Sequence, residues 1–135
     1  MAKPNGKSER YRRGKKLFDR LYEVRGENTL RLLDEMAPHL SDHVVEFVFG
    51  EMFSRPQLDL KSRELAVVAA LTTLGNAPAQ LRGHIVGALN AGCSKQEIVE
   101  VIAQMTIYAG FPAAINGLQA AREVFHEAES KKRKK

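Results

Sequence analysis

The sequence predicts an all-α fold, a single-domain bundle of antiparallel helices. Gly75, Gly92 and Gly110 close apolar runs at nearly equal intervals, as expected where a residue with positive φ ends each helix. A helix start signal follows each glycine, and no segment shows the two-residue alternation typical of a strand. We therefore expect four helices joined by tight turns in residues 62–125.

Three helical runs precede this block. The first two are recognised by apolar residues at helical spacing: Tyr11, Leu17, Phe18, Leu21 and Tyr22, then Leu30, Leu32, Leu33 and Met36. We expect helix breaks at Gly26 and Pro38. The third run covers residues 44–53, and Ser41 is a plausible N-cap for it.

The helices of residues 62–125 start at recognisable signals. Asp59 caps the first, Asn76 and Pro78 open the second, Ser94 and Glu97 form a capping box, and Pro112 opens the fourth. The first helix is apolar or small on every side except at Thr72 and Thr73, which predicts a helix buried all round. A chain of 135 residues has little room to surround a helix, so we expect a homo-oligomer whose other subunits cover it.

Charge is concentrated at the two ends of the chain. The net charge is +5, yet residues 1–31 carry +6, residues 131–135 carry +5 and the remainder carries −6. A basic composition alone suggests nucleic-acid binding, but an acidic helical body argues against it, and terminal basic runs are typical of solvated tails. We divide the chain into a basic N-terminal segment (1–8), a helical domain (9–128) and a basic C-terminal tail (129–135).

Cys93 is the one cysteine of the chain, which excludes an intramolecular disulfide and a Cys-x-x-Cys pair. It lies between Gly92 and Ser94, where it is either a small turn residue or a thiol acidified by a helix N-terminus. No apolar run reaches 18 residues, and the N-terminus has no apolar signal-peptide core. We therefore expect a cytoplasmic protein with no membrane partner.

A metal site is weighed at His39, His43 and Glu46, whose spacing on one helix would bring three ligands together. Pro38 and Ser41 indicate that a helix starts between the two histidines, which spoils that spacing. We predict no metal site.

Four phrases of the chain match a known family. They are SREL at residues 62–65, LRGHI at 81–85, GALNAG at 87–92 and YAGFPAAIN at 108–116. Over residues 9–125 the chain resembles the carboxymuconolactone decarboxylase family, close to the gamma-carboxymuconolactone decarboxylase branch of the alkylhydroperoxidase D fold. The resemblance implies a ring-like hexamer that breaks down aromatic compounds and decarboxylates a small lactone carboxylate without a cofactor.

Glu64 and His84 are the predicted catalytic residues. They lie twenty residues apart on consecutive helices, so an antiparallel hairpin brings them together. The carboxylate would fix the tautomer of an imidazole that exchanges protons near neutral pH. The alternative is structural, with Glu64 paired to an arginine and His84 a satisfied core residue.

Substrate binding is predicted at four polar residues. Arg82 is the first candidate for holding a carboxylate because a guanidinium pairs with it bidentately, and Arg63 is the second. Tyr108 and Asn116 are expected to donate hydrogen bonds to a substrate oxygen. Each arginine has the alternative of a surface or inter-subunit ion pair.

Two other functions stay open. A redox branch of the same family carries two thiols, but Asn76 and Ala79 stand at those positions, so peroxidase activity would depend on Cys93 and an external thiol. A non-catalytic oligomer whose basic tails bind an acidic partner is the third possibility.

Overall fold

The computed structural model describes residues 6–135, and within this range every regular element is a helix and no strand occurs. The all-α prediction is confirmed. The chain divides into two compact units, Met1–Leu58 and Asp59–Lys135. The predicted bounds of the three segments stay a prediction, and residues 1–5 of the basic N-terminal segment lie outside the described residues. None of the helices in the described range has both the length and the apolar content of a membrane span.

The first unit contains α1 (Glu9–Met36), α2 (Pro38–His43) and a π-helix (Val44–Met52) that continues directly from α2. Ser8 caps α1, its Oγ accepting the N–H of Tyr11 at 2.9 Å. The core of this unit is aromatic and aliphatic: Phe18, Leu21, Tyr22, Leu30, Val45 and Phe49.

Two predicted features of the first unit are wrong. The break in α1 falls at Glu23, which has φ 51° and ψ −134°, and not at Gly26. Gly26 is buried, and a Cβ there would run into the ring of Phe18, so this glycine serves packing. Ser41 is no N-cap because the helix already begins at Pro38 and buries Ser41 in its interior.

The second unit contains the four predicted helices, α3 (Leu60–Leu74), α4 (Pro78–Asn90), α5 (Lys95–Ala109) and α6 (Phe111–Arg133). Their shared core contains Val68, Leu81, Ile85, Ala88, Ile98, Ile102, Ala120, Ala121 and Val124. The three glycines that separate the helices all have positive φ, 72° at Gly75, 102° at Gly92 and 88° at Gly110. The glycine-based division of this unit is confirmed.

The helix starts agree with the signals predicted from the sequence. The Asp59 side chain accepts the Ser62 N–H at 2.7 Å, the Ser94 capping box is complete, and Pro112 lies in the first turn of α6. At α4 Pro78 opens the helix as predicted, and the N-cap is Ala77, which makes no side-chain hydrogen bond.

Burial of α3 is one-sided within the single chain. Glu64, Val68 and Thr72 are buried along one stripe, whereas Ala66, Ala70, Thr73 and Leu74 are exposed. As expected for a chain of this length, one chain alone does not surround the helix, and burial on all sides stays a prediction for the oligomer. Coverage of the exposed side by other subunits stays a prediction.

Side-chain contacts give the relative directions of α3, α5 and α6. The Lys61 Nζ lies 2.8 Å from Glu97 Oε1 at the start of α3 and α5, and the Thr73 Oγ1 lies 3.3 Å from the Met105 sulfur near their ends, so these two helices are parallel. Lys95 pairs with the far end of α6 at Glu129, at 2.7 Å, so α5 and α6 are antiparallel.

Candidate active site

A buried carboxylate and an imidazole meet between α3 and α4. Glu64, in the second turn of α3, is fully buried, and its Oε2 lies 3.0 Å from Nδ1 of His84, near the middle of α4. The His84 side chain is 24% exposed. The hairpin of α3 and α4 thus brings together, within one chain, the two residues predicted to be catalytic; their catalytic role stays a prediction.

The contact with Glu64 engages Nδ1 of His84. An ionised carboxylate only accepts hydrogen bonds, so Nδ1 must carry the proton that it donates to Glu64. The lone pair of the neutral imidazole then belongs to Nε2, and a second proton taken up by His84 is carried there. This hydrogen bond orients the ring, with Nδ1 towards Glu64.

The start of α3 and its apolar stripe explain why Glu64 faces α4. The cap at Asp59 starts the helix, and the hydrogen bond from the Ser62 N–H holds the pKa of the Asp59 carboxyl below its usual range. One turn beyond Glu64, Val68 enters the core, where Leu81 and Ile85 of α4 are also buried. The apolar stripes that pair α3 with α4 therefore also set the register of Glu64 and His84.

Arg82 lies on a different side of α4 from His84. Two residues along an α-helix turn the side chain by about 200°. Arg82 Nη1 lies 3.5 Å from Glu123 Oε2 on α6, and the two side chains are 32% and 42% exposed. The structure thus shows the ion pair that was the alternative for Arg82. Its role in holding a carboxylate stays a prediction, which this position does not favour within one chain.

The other predicted binding residues are spread over the second unit. Arg63 is partly buried and directly precedes Glu64 on α3. Tyr108 is 72% exposed in the last turn of α5. Asn116 lines a small pocket at the ends of α3, α4 and α6, together with Leu71, Thr72, Gly75, Ala77, Pro78, Leu81, Ala113 and Gly117. His84 does not line this pocket. Among the predicted site residues, Glu64 is the one that the structure shows in contact with His84.

Cys93 is buried in the turn between α4 and α5, and its thiol donates to the Lys61 carbonyl at 3.6 Å. Burial raises the pKa of the Cys93 thiol above its ordinary value, and the nearby Glu97 carboxylate adds to the rise. This is opposite to the acidification that a redox thiol needs. The buried position of Cys93 and its raised pKa favour the alternative of a small residue in a tight turn over a thiol acidified by a helix N-terminus.

The two histidines of the first unit lie close together along the chain. His39 and His43 lie on the same helix, α2, so the argument that a helix starts between them is wrong. Among residues 6–135, however, no three His, Cys, Asp or Glu side chains gather where they could hold a metal ion.

One partner in the site region escaped the sequence analysis. Glu123 pairs with Arg82 across α4 and α6, forty-one positions apart. No local signal marks this pairing, because it depends on how α6 packs on α4 and not on spacing along either helix.

The fold and the buried pair define a class: an all-helical protein with a carboxylate and an imidazole joined inside a four-helix unit. A family model described as the carboxymuconolactone decarboxylase family matches residues 38–123. The chain belongs to this family. The resemblance found in the sequence phrases is thereby confirmed.

Three relatives show the range of names in the neighbourhood of this chain. An uncharacterized 15.0 kDa protein of the nqo9-nqo10 intergenic region of Paracoccus denitrificans is 37% identical over 99 residues, 73% of this chain and 74% of the relative. The 4-carboxymuconolactone decarboxylase of Acinetobacter baylyi is 32% identical over 123 residues, 88% of this chain and 89% of the relative. The nitrosuccinic acid decarboxylase npaB of Metarhizium robertsii is 27% identical over 122 residues, 84% of each chain.

Proposed function

We propose that the protein is a cofactor-free carboxy-lyase that decarboxylates a small lactone carboxylate. The observation that carries the proposal is the 3.0 Å contact between His84 Nδ1 and the fully buried Glu64 carboxylate. Two relatives are named as decarboxylases, one of a carboxymuconolactone and one of nitrosuccinic acid. Both names describe loss of CO2 from a small acid, which supports the reaction type.

The reaction needs a proton donor next to the substrate carbon that is protonated after CO2 leaves. As the bond between the ring carbon and the carboxylate breaks, CO2 leaves and the electron pair spreads into the lactone carbonyl as an enolate. His84, as an imidazolium, then gives the proton on Nε2 to that carbon and becomes neutral, and it regains a proton from water. Glu64 keeps the Nδ1 proton in its hydrogen bond, so only Nε2 changes its protonation.

The substrate carboxylate needs a cation, and the two arginines are the candidates for it. Arg82 pairs with Glu123 on the side of α4 away from His84, whereas Arg63 is partly buried and directly precedes Glu64 along α3. We propose Arg63 as the carboxylate-binding residue within one chain. Tyr108 and Asn116 are proposed as donors of hydrogen bonds to a substrate oxygen.

We also propose that the protein works as a homo-oligomer. The support is the exposed side of α3, where Ala66, Ala70 and Leu74 face outward in the single chain. Apolar helix surfaces of this kind are covered in stable proteins.

The test is turnover of gamma-carboxymuconolactone, followed as loss of substrate and release of CO2. Three proteins are compared: the wild type, His84→Ala and Cys93→Ser. We expect turnover to be lost in the histidine variant and kept in the cysteine variant, which removes a buried thiol that takes no part in the reaction. Equal turnover in the wild type and the histidine variant would contradict the assigned proton donor.

A further inference from the structure

A groove on the second unit lies between α5 and α6. Its volume is about 280 Å³, and it is lined by Lys95, Val99, Leu118, Ala121, Arg122, Phe125, His126 and Glu129. We call it the α5–α6 groove. The Glu64–His84 pair lies between the two other helices of the unit, α3 and α4, and neither of these residues lines the groove.

The floor of the α5–α6 groove is apolar. Leu118, Ala121 and Phe125 are three and four residues apart on α6, so their side chains lie on one side of that helix. Val99 adds an apolar side chain from α5. Ala121 is buried and Phe125 packs on the core as a partly buried residue, whereas Leu118 is 37% exposed. The groove therefore offers a surface for the apolar part of a ligand.

Basic side chains border this floor from both helices. Arg122 and His126 are four residues apart on α6, and a four-residue step places both on the same side of a helix. Lys95, the first residue of α5, lies opposite them, and its Nζ is 5.4 Å from the centre of the Phe125 ring. Cationic and N–H donor groups thus lie on both sides of the apolar floor.

Glu129 is the one acid among the residues that line the groove, and it is already engaged. Its Oε1 lies 2.7 Å from Lys95 Nζ. The hydrogen bond from Lys95 is the main reason that the pKa of the Glu129 carboxyl lies below its ordinary value, and the charges of Lys95, His126 and Arg133 lower it further. The single carboxylate is therefore shared among several basic groups and does not balance them all.

Arg122 is the basic residue of the groove whose charge is least balanced. Its Nη2 donates to the neutral Gln119 Oε1 at 2.8 Å, and no carboxylate pairs with it in the part of the chain that the structure describes. A guanidinium has five N–H donors in a planar fork that matches the two oxygens of a carboxylate. Arg122 can therefore hold an anionic head group without giving up an ion pair.

The two ends of the groove differ in polarity. Eleven residues separate Leu118 from Glu129, so this side of α6 extends over about 16 Å. Leu118 belongs to residues 101–121, which contain no Asp, Glu, Lys, Arg or His, whereas the basic side chains lie towards Glu129. An apolar end followed by a cationic end is complementary to a molecule with an apolar chain and an anionic head.

We propose that the α5–α6 groove is a binding site for a small amphipathic carboxylate, such as the anion of a medium-chain fatty acid. The chain lies along Leu118 and Phe125, and the carboxylate is held by Arg122, with Lys95 and His126 beside it. The volume is just below the roughly 300–1,000 Å³ of pockets for drug-sized ligands, which favours a small molecule. A nucleic-acid backbone would use the basic groups and leave the apolar floor uncovered.

Nuclear magnetic resonance of the histidine rings tests the site with octanoate as the probe. The chain has four histidines, so the ring signals of His126 report on the groove and those of His84 report on the candidate active site. The variants His126→Gln and His84→Gln assign the two sets of signals. We expect octanoate to shift the His126 signals with a Kd below ~1 mM.

Two simpler probes separate the contributions of the head and the chain. Acetate has the carboxylate alone and octanol has the chain alone, so each is expected to bind at least ~10-fold more weakly than octanoate. Octanoate that leaves the His126 signals unchanged would overturn the proposal. Acetate or octanol that binds as tightly as octanoate would overturn it as well, because the site would then not require both features.

Variants then locate the bound octanoate. Arg122→Gln removes the charge and Leu118→Glu places an acid at the apolar end; both residues are exposed, and circular dichroism checks the fold. Each is expected to weaken octanoate binding at least ~10-fold, as measured by isothermal titration calorimetry. Arg20→Gln, at an exposed arginine of α1, is the matched control and is expected to bind like the wild type.

Arg63→Ala separates the groove from the candidate active site. The His126 response to octanoate is expected to persist in this variant, because Arg63 does not line the groove. Octanoate binding that is lost in Arg63→Ala and kept in Arg122→Gln would place the ligand at the candidate active site and overturn the proposal. Unchanged affinity in both Arg122→Gln and Leu118→Glu would overturn it too.

Discussion

Replacing the buried carboxylate by its neutral amide gives the sharpest test of the proposed chemistry. Glu64→Gln keeps the shape of a side chain that is fully buried and 3.0 Å from His84. An amide oxygen still accepts the Nδ1 proton, so the ring keeps a partner. What disappears is the negative charge that stabilises the imidazolium required for proton donation.

The size of the effect follows from the kind of hydrogen bond that is lost. A hydrogen bond to a charged group contributes about 1.5–3 kcal/mol and a neutral one about 0.5–1.5 kcal/mol. The imidazolium of His84 therefore loses roughly 1–2 kcal/mol, which corresponds to a fall in kcat of about 5- to 30-fold. If the amide turns to donate to Nδ1 instead, the tautomer is reversed and the fall is larger.

The assay compares initial rates of CO2 release across substrate concentrations for the wild type, Glu64→Gln and Glu100→Gln. Glu100 is exposed on α5, so its variant makes the same chemical change without touching the pair. We expect kcat to fall in Glu64→Gln with KM little changed, and neither to change in the control. A folded Glu64→Gln protein whose kcat stays within twofold of the wild type would refute the role of the carboxylate.

Three further predictions concern other parts of the same unit. Arg63→Ala is expected to raise KM at least ~10-fold. Arg82→Ala is expected to leave KM within about threefold and to lower the free energy of unfolding by about 0.2–1 kcal/mol. Steady-state kinetics and urea unfolding measure these values, and the reverse pattern of KM changes would make Arg82 the residue that binds the carboxylate. Because burial raises its pKa, the Cys93 thiol should react with iodoacetamide at neutral pH at least ~10-fold more slowly than in the unfolded chain and faster as pH rises, followed by mass spectrometry; equal rates would show an open thiol. Gly117→Ala should destabilise the protein by about 1–3 kcal/mol because its Cβ meets side chains of two helices, whereas Gly83→Ala, with open space around its Cβ, should stabilise it by about 0.5–1 kcal/mol; equal unfolding midpoints would contradict both.

Local signals account for what could be predicted of the fold. Gly75, Gly92 and Gly110 each end a helix for the same reason, since glycine adopts positive φ without a steric cost. The Ser94 capping box and the Asp59 cap act within three residues of themselves, so the sequence alone determines them. The meeting of Glu64 and His84 was also predictable, because a short turn between two helices leaves few registers.

Features that depend on packing could not be predicted from the sequence. Gly26 is indistinguishable from a helix breaker until the Phe18 ring is found against it. Ser41 has the chemistry of an N-cap, yet Pro38 starts the helix one turn earlier. The pKa of the Cys93 thiol is raised because the thiol is buried, and no local sequence pattern describes this burial.

The burial of Glu64 itself argues for chemistry over structure. Removing a carboxylate from water costs several kcal/mol, and even a well-made buried ion pair often contributes no more stability than apolar residues of the same size. The core around the pair is otherwise apolar, with Val68, Leu81 and Ile85 fully or almost fully buried, so a leucine in place of Glu64 would continue the stripe of α3. A partly exposed His84 gains little stability from this carboxylate but gains a fixed tautomer and orientation. A fully buried carboxylate 3.0 Å from the imidazole is the arrangement that the proposed proton transfer requires.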